Sequence, residues 1–412
     1  MVTFQKVKIK DVCKKISSGG TPSRKRSDYF DSNEGHLWVK SKELLEKGIT
    51  NTEEKISELG LQNSSAKYYP ANTVLIAMYG VNAGQLAWLK KPATVNQAIC
   101  ALVVDDKKAS WKYMYYSLLE SRQELISQAR GAAQPNLNKD MVENFQTIMC
   151  NDLETQISIA SILSAYDDLI ENNEKRIKVL EEMAQLLYTE WFVKFKFSGH
   201  EKAKMVDSDT EYGMIPEEWE VKKISDLYVT SSGGTPSRRN EIEFYKNGSI
   251  PWVKTKELND NYILDTEEKI TELAVKKSSA KIFPKNTVLI AMYGATIGKL
   301  GILSCEAATN QACCAFLLKD KVHSGFYIFQ FLSNNIKKIT GLAFGAAQPN
   351  ISQNTVRGID ILSPEASILE EYNKRVEPIF NGILIYQKQI ENLAQVRDLL
   401  IPELVTGKRI VK

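Results

Sequence analysis

The stretch SSGGTPSR runs from Ser17 to Arg24 and returns letter for letter at Ser231 to Arg238. Around it the duplication widens: WVK at Trp38 and Trp252, TEEKI at Thr52 and Thr266, NTVLIAMYG at Asn72 and Asn286, NQA at Asn96 and Asn310, GAAQPN at Gly131 and Gly345. Every pair lies 214 positions apart, so from Ser17 to Asn136 the copies run without net insertion. That period far exceeds the roughly 20 to 50 residues of a solenoid unit. It describes two whole domains of one fold.

Within each copy the local signals favour strands and turns. NTVLIAMYG, ICALVV and CCAFLL are short apolar runs bounded by turn formers, as buried strands are. In GGTPSR the glycines permit positive φ and the proline fixes a turn, and GAAQPN sets Gln and Asn beside a Pro, so both read as loops. Helices are expected near Trp111–Ala129 and Gly325–Ile339, making each copy an α+β domain.

The segments after the copies change period. Ile159, Ile162, Tyr166, Leu169, Ile177, Leu180, Ala184, Leu187 and Trp191 follow the 3/4 spacing of a coiled-coil stripe, with Asn173 at the seam as a register-setting residue. A second stripe runs Leu369, Tyr372, Val376, Ile379, Ile383, Tyr386, Ile390, Leu393, Val396, Leu400. Pro378 is expected to start or kink that helix, and the helix to end before Pro402, because proline lacks the amide proton of the helical bond. The organisation is therefore a first head at 1–150, a long helix at 151–198, a polar linker at 199–219, a second head at 220–365 and a second long helix at 366–412. Neither stripe can bury itself alone, so the expected fold class is α+β: two similar heads joined by an antiparallel two-helix coiled coil with pseudo-twofold symmetry.

Composition bounds the function. The 412 residues are 43% hydrophobic and 25% charged, as in ordinary globular proteins. No run approaches the ~20 apolar residues of a membrane span, and MVTFQKVKIKD lacks a signal-peptide core, so a cytoplasmic protein without a membrane partner is expected. Six cysteines form no CxxC pair and three histidines stand apart, which argues for structural thiols and no metal site. The net charge of +3 hides an asymmetry: residues 1–150 carry 21 Lys+Arg against 15 Asp+Glu, residues 220–362 carry 18 against 13, and residues 151–219 carry 7 against 15. Two basic heads are the footprint of a polyanion, although balances of this size also occur by ordinary surface variation.

Taken together, SSGGTPSR, WVKSKEL and WVKTKEL, the GAAQPN loops, YGMIPEEWEV opening the second head and LVTGKR closing the last helix resemble the specificity subunits of type I restriction-modification systems. The resemblance covers almost the whole chain; YTEWFVKF, ending the first helix, departs from the LVTGKR pattern. It implies two target recognition domains on double-stranded DNA and helices that hold two adenine-N6 methyltransferase subunits, with motor-nuclease restriction subunits as further partners. It also implies no catalytic residues and no cofactor in this chain, S-adenosylmethionine and ATP with Mg belonging to the partners. The sequence agrees by omission, having neither a G-x-x-x-x-G-K-[ST] loop nor a [DNS]-P-P-[YFW] tetrapeptide. No histidine recurs between the copies: His36 aligns with Ile250 and His323 with Ala109.

The candidate DNA contacts are the residues that recur, and each carries a bland alternative. Gly19, Gly20, Thr21, Ser23, Arg24 and Lys25, with Gly233, Gly234, Thr235, Ser237, Arg238 and Arg239, offer amides, hydroxyls and cations to phosphates or base edges, or form only a turn. Lys40 and Lys42, with Lys254 and Lys256, are two apart and so share a strand face, as phosphate contacts or as solvated lysines. Tyr79 and Asn82, with Tyr293 and Thr296, mark a loop in which VNAGQ faces ATIGK. Gln134, Asn136, Gln348 and Asn350 can bond adenine edges or brace their own turns. Trp38 and Trp252, Cys100 and Cys314 read as core.

Repeated heads on antiparallel helices imply a bipartite, nearly palindromic target. Ile159 to Trp191 spans roughly 50 Å at about 1.5 Å per residue, which places half-site centres about 10 to 14 base pairs apart. The alternative from another class is a coiled-coil scaffold whose two heads bind protein or sugar; a nuclease or methyltransferase lacks its motifs.

Overall fold

NTVLIAMYG shows why the apolar runs do not alternate. In the strand Val74–Ala77 all four residues are buried, but Val74 and Ile76 enter one core while Leu75 and Ala77 enter another. A strand covered on both faces has no polar side to show in its sequence. The second copy repeats this: Val288 and Ile290 face one core, Leu289 and Ala291 the other.

The computed structural model describes residues 2–31, 34–129, 136–320, 322–343 and 350–410. The chain divides into two units, Met1–Glu171 with Glu391–Lys412, and Asn172–Ile390. In the first, a five-stranded sheet has the order Cys13–Ser18, Ile99–Val104, Val74–Ala77, Leu86–Leu89, Gly48–Ile49. A four-stranded sheet has the order Lys55–Ile56, His36–Val39, Ala93–Val95, Tyr68–Tyr69. Phe4–Lys8 pairs antiparallel with Gln146–Cys150. The second unit has the same three sheets in the same order. Each fold is α+β, with helices Trp111–Glu120 and Gly325–Asn334 in corresponding places. Both are N-capped by a serine, Ser110 or Ser324, that accepts a bond from a backbone amide. The expected helical stretches are each made of two pieces, with Arg122–Ser127 and Ile336–Gly341 following as the second.

The copies differ by one residue near their start, and the structure shows where it goes. In the edge strand of the first head, Val103 pairs with Lys15 but Val104 with Cys13, leaving Lys14 in a bulge. In the second head Leu317 and Leu318 pair with Val229 and Tyr228 without interruption. A bulge absorbs an inserted residue while both flanks keep their faces, and Lys14 turns to Asp106 at 2.5 Å.

The long helices are Leu153–Tyr188 and Ala366–Val405. In the first unit Ile159, Ala160 and Leu163 share a core with Ile401, Leu404 and Val405. In the second, Ile177, Ala184 and Tyr188 share one with Tyr372, Val376, Phe380 and Ile383. Partners run in opposite directions, Asp167 bonding Arg397 in the first unit, and Asn173 bonding Gln389 and Arg176 bonding Tyr386 in the second. Each unit therefore contains an antiparallel helix pair.

Several expectations are corrected here. Ile162, Leu169 and Val396 are exposed, because in the first unit the seam runs through Leu163 and the ion pair of Asp167 with Arg397, which a search for apolar spacing passes over. Pro378 does not start the second helix, and that helix does not end before Pro402. One missing amide is tolerated where Ile401, Leu404 and Val405 are buried on either side of it. The stretch 199–219 is folded: Met205–Asp207 pairs with Met214–Pro216, and Trp219 is buried against Phe197.

Candidate nucleic-acid interface

The repeated GG occupies a place where two pieces of backbone nearly touch. Gly20 donates to the Val95 carbonyl at 3.0 Å and Gly234 to the Thr309 carbonyl at 2.9 Å. A Cβ on Gly19 would lie 1.9 Å from the Val95 oxygen, and one on Gly233 1.9 Å from that of Thr309. None of the four glycines has positive φ, so close approach, and not the expected left-handed turn, requires them. Trp38 and Trp252 are buried, and their indole N–H groups donate to the carbonyls of Gly20 and Gly234 at 3.0 and 3.1 Å.

Arg24 and Arg238 close this node from outside. Arg24 meets Glu54 at 2.6 Å with its guanidinium 4.5 Å from the Phe30 ring centre and 5.1 Å from that of Trp38. Arg238 meets Glu268 at 2.6 Å and lies over Tyr245 and Trp252. Lys40 reaches Glu53 and Glu54 at 2.6 and 2.7 Å, and Lys42 reaches Glu53 at 2.7 Å. Lys254 and Lys256 repeat the pattern on Glu267. The lysine pairs do not share a strand face: the strands end at Val39 and Val253, and the residues after Lys40 and Lys254 coil into short 3-10 turns. Hydrogen bonds from Lys40 and Lys42 hold the Glu53 carboxyl down at about 2, and Arg24, then Lys40, hold that of Glu54 below its ordinary value. TEEKI thus supplies the anions that neutralise SSGGTPSR and WVK. Lys25 and Arg239, which align, are exposed and make no side-chain ion pair among the described residues. Ser23 is exposed beside them, and Ser237 accepts a bond from the Arg239 amide.

From this node a line of bonds leads to the other repeated loops. The Thr21 hydroxyl donates to the Gln97 side chain and that of Thr235 to Gln311. Next to these glutamines, the Ala98 and Ala312 carbonyls accept from Met78 and Met292 at 2.8 and 2.9 Å. The carbonyls of those methionines accept in turn from Leu137 and Ile351 at 2.8 and 2.9 Å. Tyr79 consequently pairs with Asn136, and Tyr293 with Asn350. Both tyrosines are about two-fifths exposed, at 43% and 41%, and both asparagines are exposed. Asn82 and Thr296 lie in the 3-10 turns that follow the tyrosines. Gln134 and Gln348 lie outside the described residues.

Each head thus presents a strip in which Thr21 or Thr235, Tyr79 or Tyr293 and Asn136 or Asn350 are joined by one line of bonds, with exposed Lys25 or Arg239 four residues beyond the threonine in the same loop. Cations, hydroxyls, amides and an aromatic ring are the groups that contact phosphates and base edges. Gln97 and Gln311, exposed in the middle of the strip, were not among the candidates from sequence. The recurrence of NQA was their signal.

The remaining reactive side chains form no such pattern. Burial pushes the thiols of Cys13, Cys100, Cys313 and Cys314 up to about 12. Among the described residues no three His, Cys, Asp or Glu side chains are grouped to hold a metal ion, and no helix is long and apolar enough to cross a membrane.

Residues 1–182 and 216–395 match the family model of the type I restriction modification DNA specificity domain. The chain is 28% identical over 411 residues to the type I restriction enzyme MjaIX specificity subunit of Methanocaldococcus jannaschii, covering 97% of this chain and 92% of that one. It is 24% identical over 380 residues to the EcoR124I/EcoR124II specificity subunit of Escherichia coli, covering 85% and 86%. The crystal structure of the S subunit of the type I restriction-modification system of M. genitalium superposes with a TM-score of 0.62 at 14% identity, covering 98% of this chain and 96% of that one.

Proposed function

The chain belongs to the type I restriction-modification DNA specificity family, and on that premise we propose that each head reads one half of a bipartite duplex target through the strip just described. The protein is the DNA-recognition subunit of a type I restriction-modification complex. The observation that carries the proposed mode is the duplicated strip: four sequence segments, scattered over more than a hundred residues, are brought to one line in each head by matching hydrogen bonds. In this reading Lys25 and Arg239 meet phosphates, while Tyr79, Asn136 and their counterparts face base edges. Arg24, Lys40 and Lys42 support the strip through their ion pairs with Glu53 and Glu54.

Repetition of the strip favours half-sites that are close to reverse complements, separated by a fixed gap. The chain itself makes no covalent chemistry. Two adenine-N6 methyltransferase subunits flip and methylate the target base using S-adenosylmethionine, and motor-nuclease subunits use ATP with Mg. Exposed Val179, Met183 and Leu186 at 3/4 spacing support docking of a methyltransferase on the first long helix. The relatives, aligned over most of their lengths, are specificity subunits, which disfavours a protein- or sugar-binding scaffold.

The test is selection from a randomised duplex library by the full-length subunit. Enrichment of two short half-sites at constant spacing is expected; enrichment of no sequence would sink the proposal.

A further inference from the structure

The two heads differ sharply in one short loop, VNAGQ at Val81–Gln85 against ATIGK at Ala295–Lys299, and the structure sorts those differences. Their backbones agree. Gly80 and Gly294 have φ of +72° and +74°, and Gly84 and Gly298 +81° and +82°. Ala83 and Ile297 donate back to the carbonyls of Gly80 and Gly294 at 3.0 and 3.1 Å, and Gly84 and Gly298 to those of Ala77 and Ala291 at 2.8 and 2.9 Å. The far end of the loop is anchored, since a Cβ on Gly84 or Gly298 would lie 2.5 Å from Ile126 or Thr340. The near end is open, since a Cβ on Gly80 or Gly294 would meet nothing within 4 Å.

Two of the differing positions serve the head that carries them. Ala83 is buried, and Ile297 packs against the core of its unit. Lys299 pairs with Asp260; in the first head the aligned acid, Glu46, is instead held by Arg122, which leaves Gln85 without that duty. The other two are not tied into the head in this way. Val81 is 95% exposed and Ala295 is exposed, while Asn82 and Thr296 are half-buried with side chains that make no hydrogen bond among the described residues. They follow directly on Tyr79 and Tyr293, at the edge of the strip.

We infer that Val81–Asn82 and Ala295–Thr296 are the exchangeable reading tips of two heads built on one frame, and that they fix base pairs at which the half-sites differ. This rests on the DNA-reading function proposed above. An isopropyl group packs on a thymine 5-methyl where alanine falls short, and an asparagine amide can bond adenine N6 and N7 together where a threonine hydroxyl makes one bond. The same backbone thus carries two chemistries.

Library selection with Val81→Ala/Asn82→Thr, with Ala295→Val/Thr296→Asn, and with both exchanges tests it. Each single exchange should change one or two neighbouring base pairs of one half-site only, toward those of the other, with about ten- to hundredfold change in preference there. The double exchange should swap the difference between the halves. A wild type that selects a bipartite target alongside variants that select the same target overturns the inference and leaves the DNA reading standing. A wild type that selects nothing removes both.

Discussion

The two heads keep the same frame while solving local problems differently. Tyr115 donates to the Glu46 carbonyl and Arg122 to the Glu46 carboxylate in the first head. In the second, Phe329 and Ile336 stand at those positions, and Lys299 from the neighbouring loop holds Asp260. The acid stays, at positive φ in both heads, and its cation moves from a helix to a loop. The first head also carries the Lys14 bulge. Meanwhile Arg24 on Glu54, Trp38 on Gly20 and Thr21 on Gln97 recur without change. Repetition is kept where buried backbone and a charge network leave no second solution, and relaxed where an exposed partner can be supplied from elsewhere.

The strongest way to break the comparison is to empty the shared node. Trp38→Ala and Trp252→Ala should each cost about 3 to 5 kcal/mol, read as early melting of one head by calorimetry and hydrogen exchange. Equal, small losses at both sites would mean that the indoles are not what holds the node. Next in size is DNA binding: removing Lys25 or Arg239 should flatten the dependence of log K on log salt by about 0.9 each. An unchanged slope would take these residues out of phosphate contact.

The moved cation gives a smaller, sharper test. Arg122→Ile alone should cost the first head about 1 kcal/mol or less, because the pair is partly exposed. Adding Gln85→Lys should restore it by copying the second head, and a double-mutant cycle without coupling would show the two solutions are not equivalent. The smallest effect is with pH. The Glu53 carboxyl is lowered to about 2 from 4.5, so its contribution is present above about pH 4.5 and is lost as pH falls toward 2. Glu53→Gln should blunt the acid loss of stability in the first head, while the second, with Glu267, keeps it. Acid melting curves that remain identical would refute the assignment.

How much of this was legible beforehand differs by element. NTVLIAMYG was readable as buried strand, and the spacing around Asn173 as helix, because both follow from side-chain periodicity along a local backbone. The charged seam at Asp167 was invisible, since an acid in a stripe breaks the apolar pattern and only its partner Arg397, 230 residues away, makes it a seam residue. Arg24 was readable as a cation but not as a paired one. Lys25 was readable as a cation too, but its exposure beside the paired Arg24 is a fact of the structure.

By itself the sequence determined that there are two copies of one α+β head, that each is followed by a helix with an apolar stripe, and where the copies diverge. Duplication and periodicity are properties of the chain read in order. Tertiary structure alone decided that GGTPSR, NQA, AMYG and the end of GAAQPN form one line, that TEEKI neutralises two lysines and an arginine, and that Val81 is exposed while Lys299 is held by Asp260. Those outcomes depend on which long-range strand pairs form, and backbone hydrogen bonds between strands carry no sequence signature of their own.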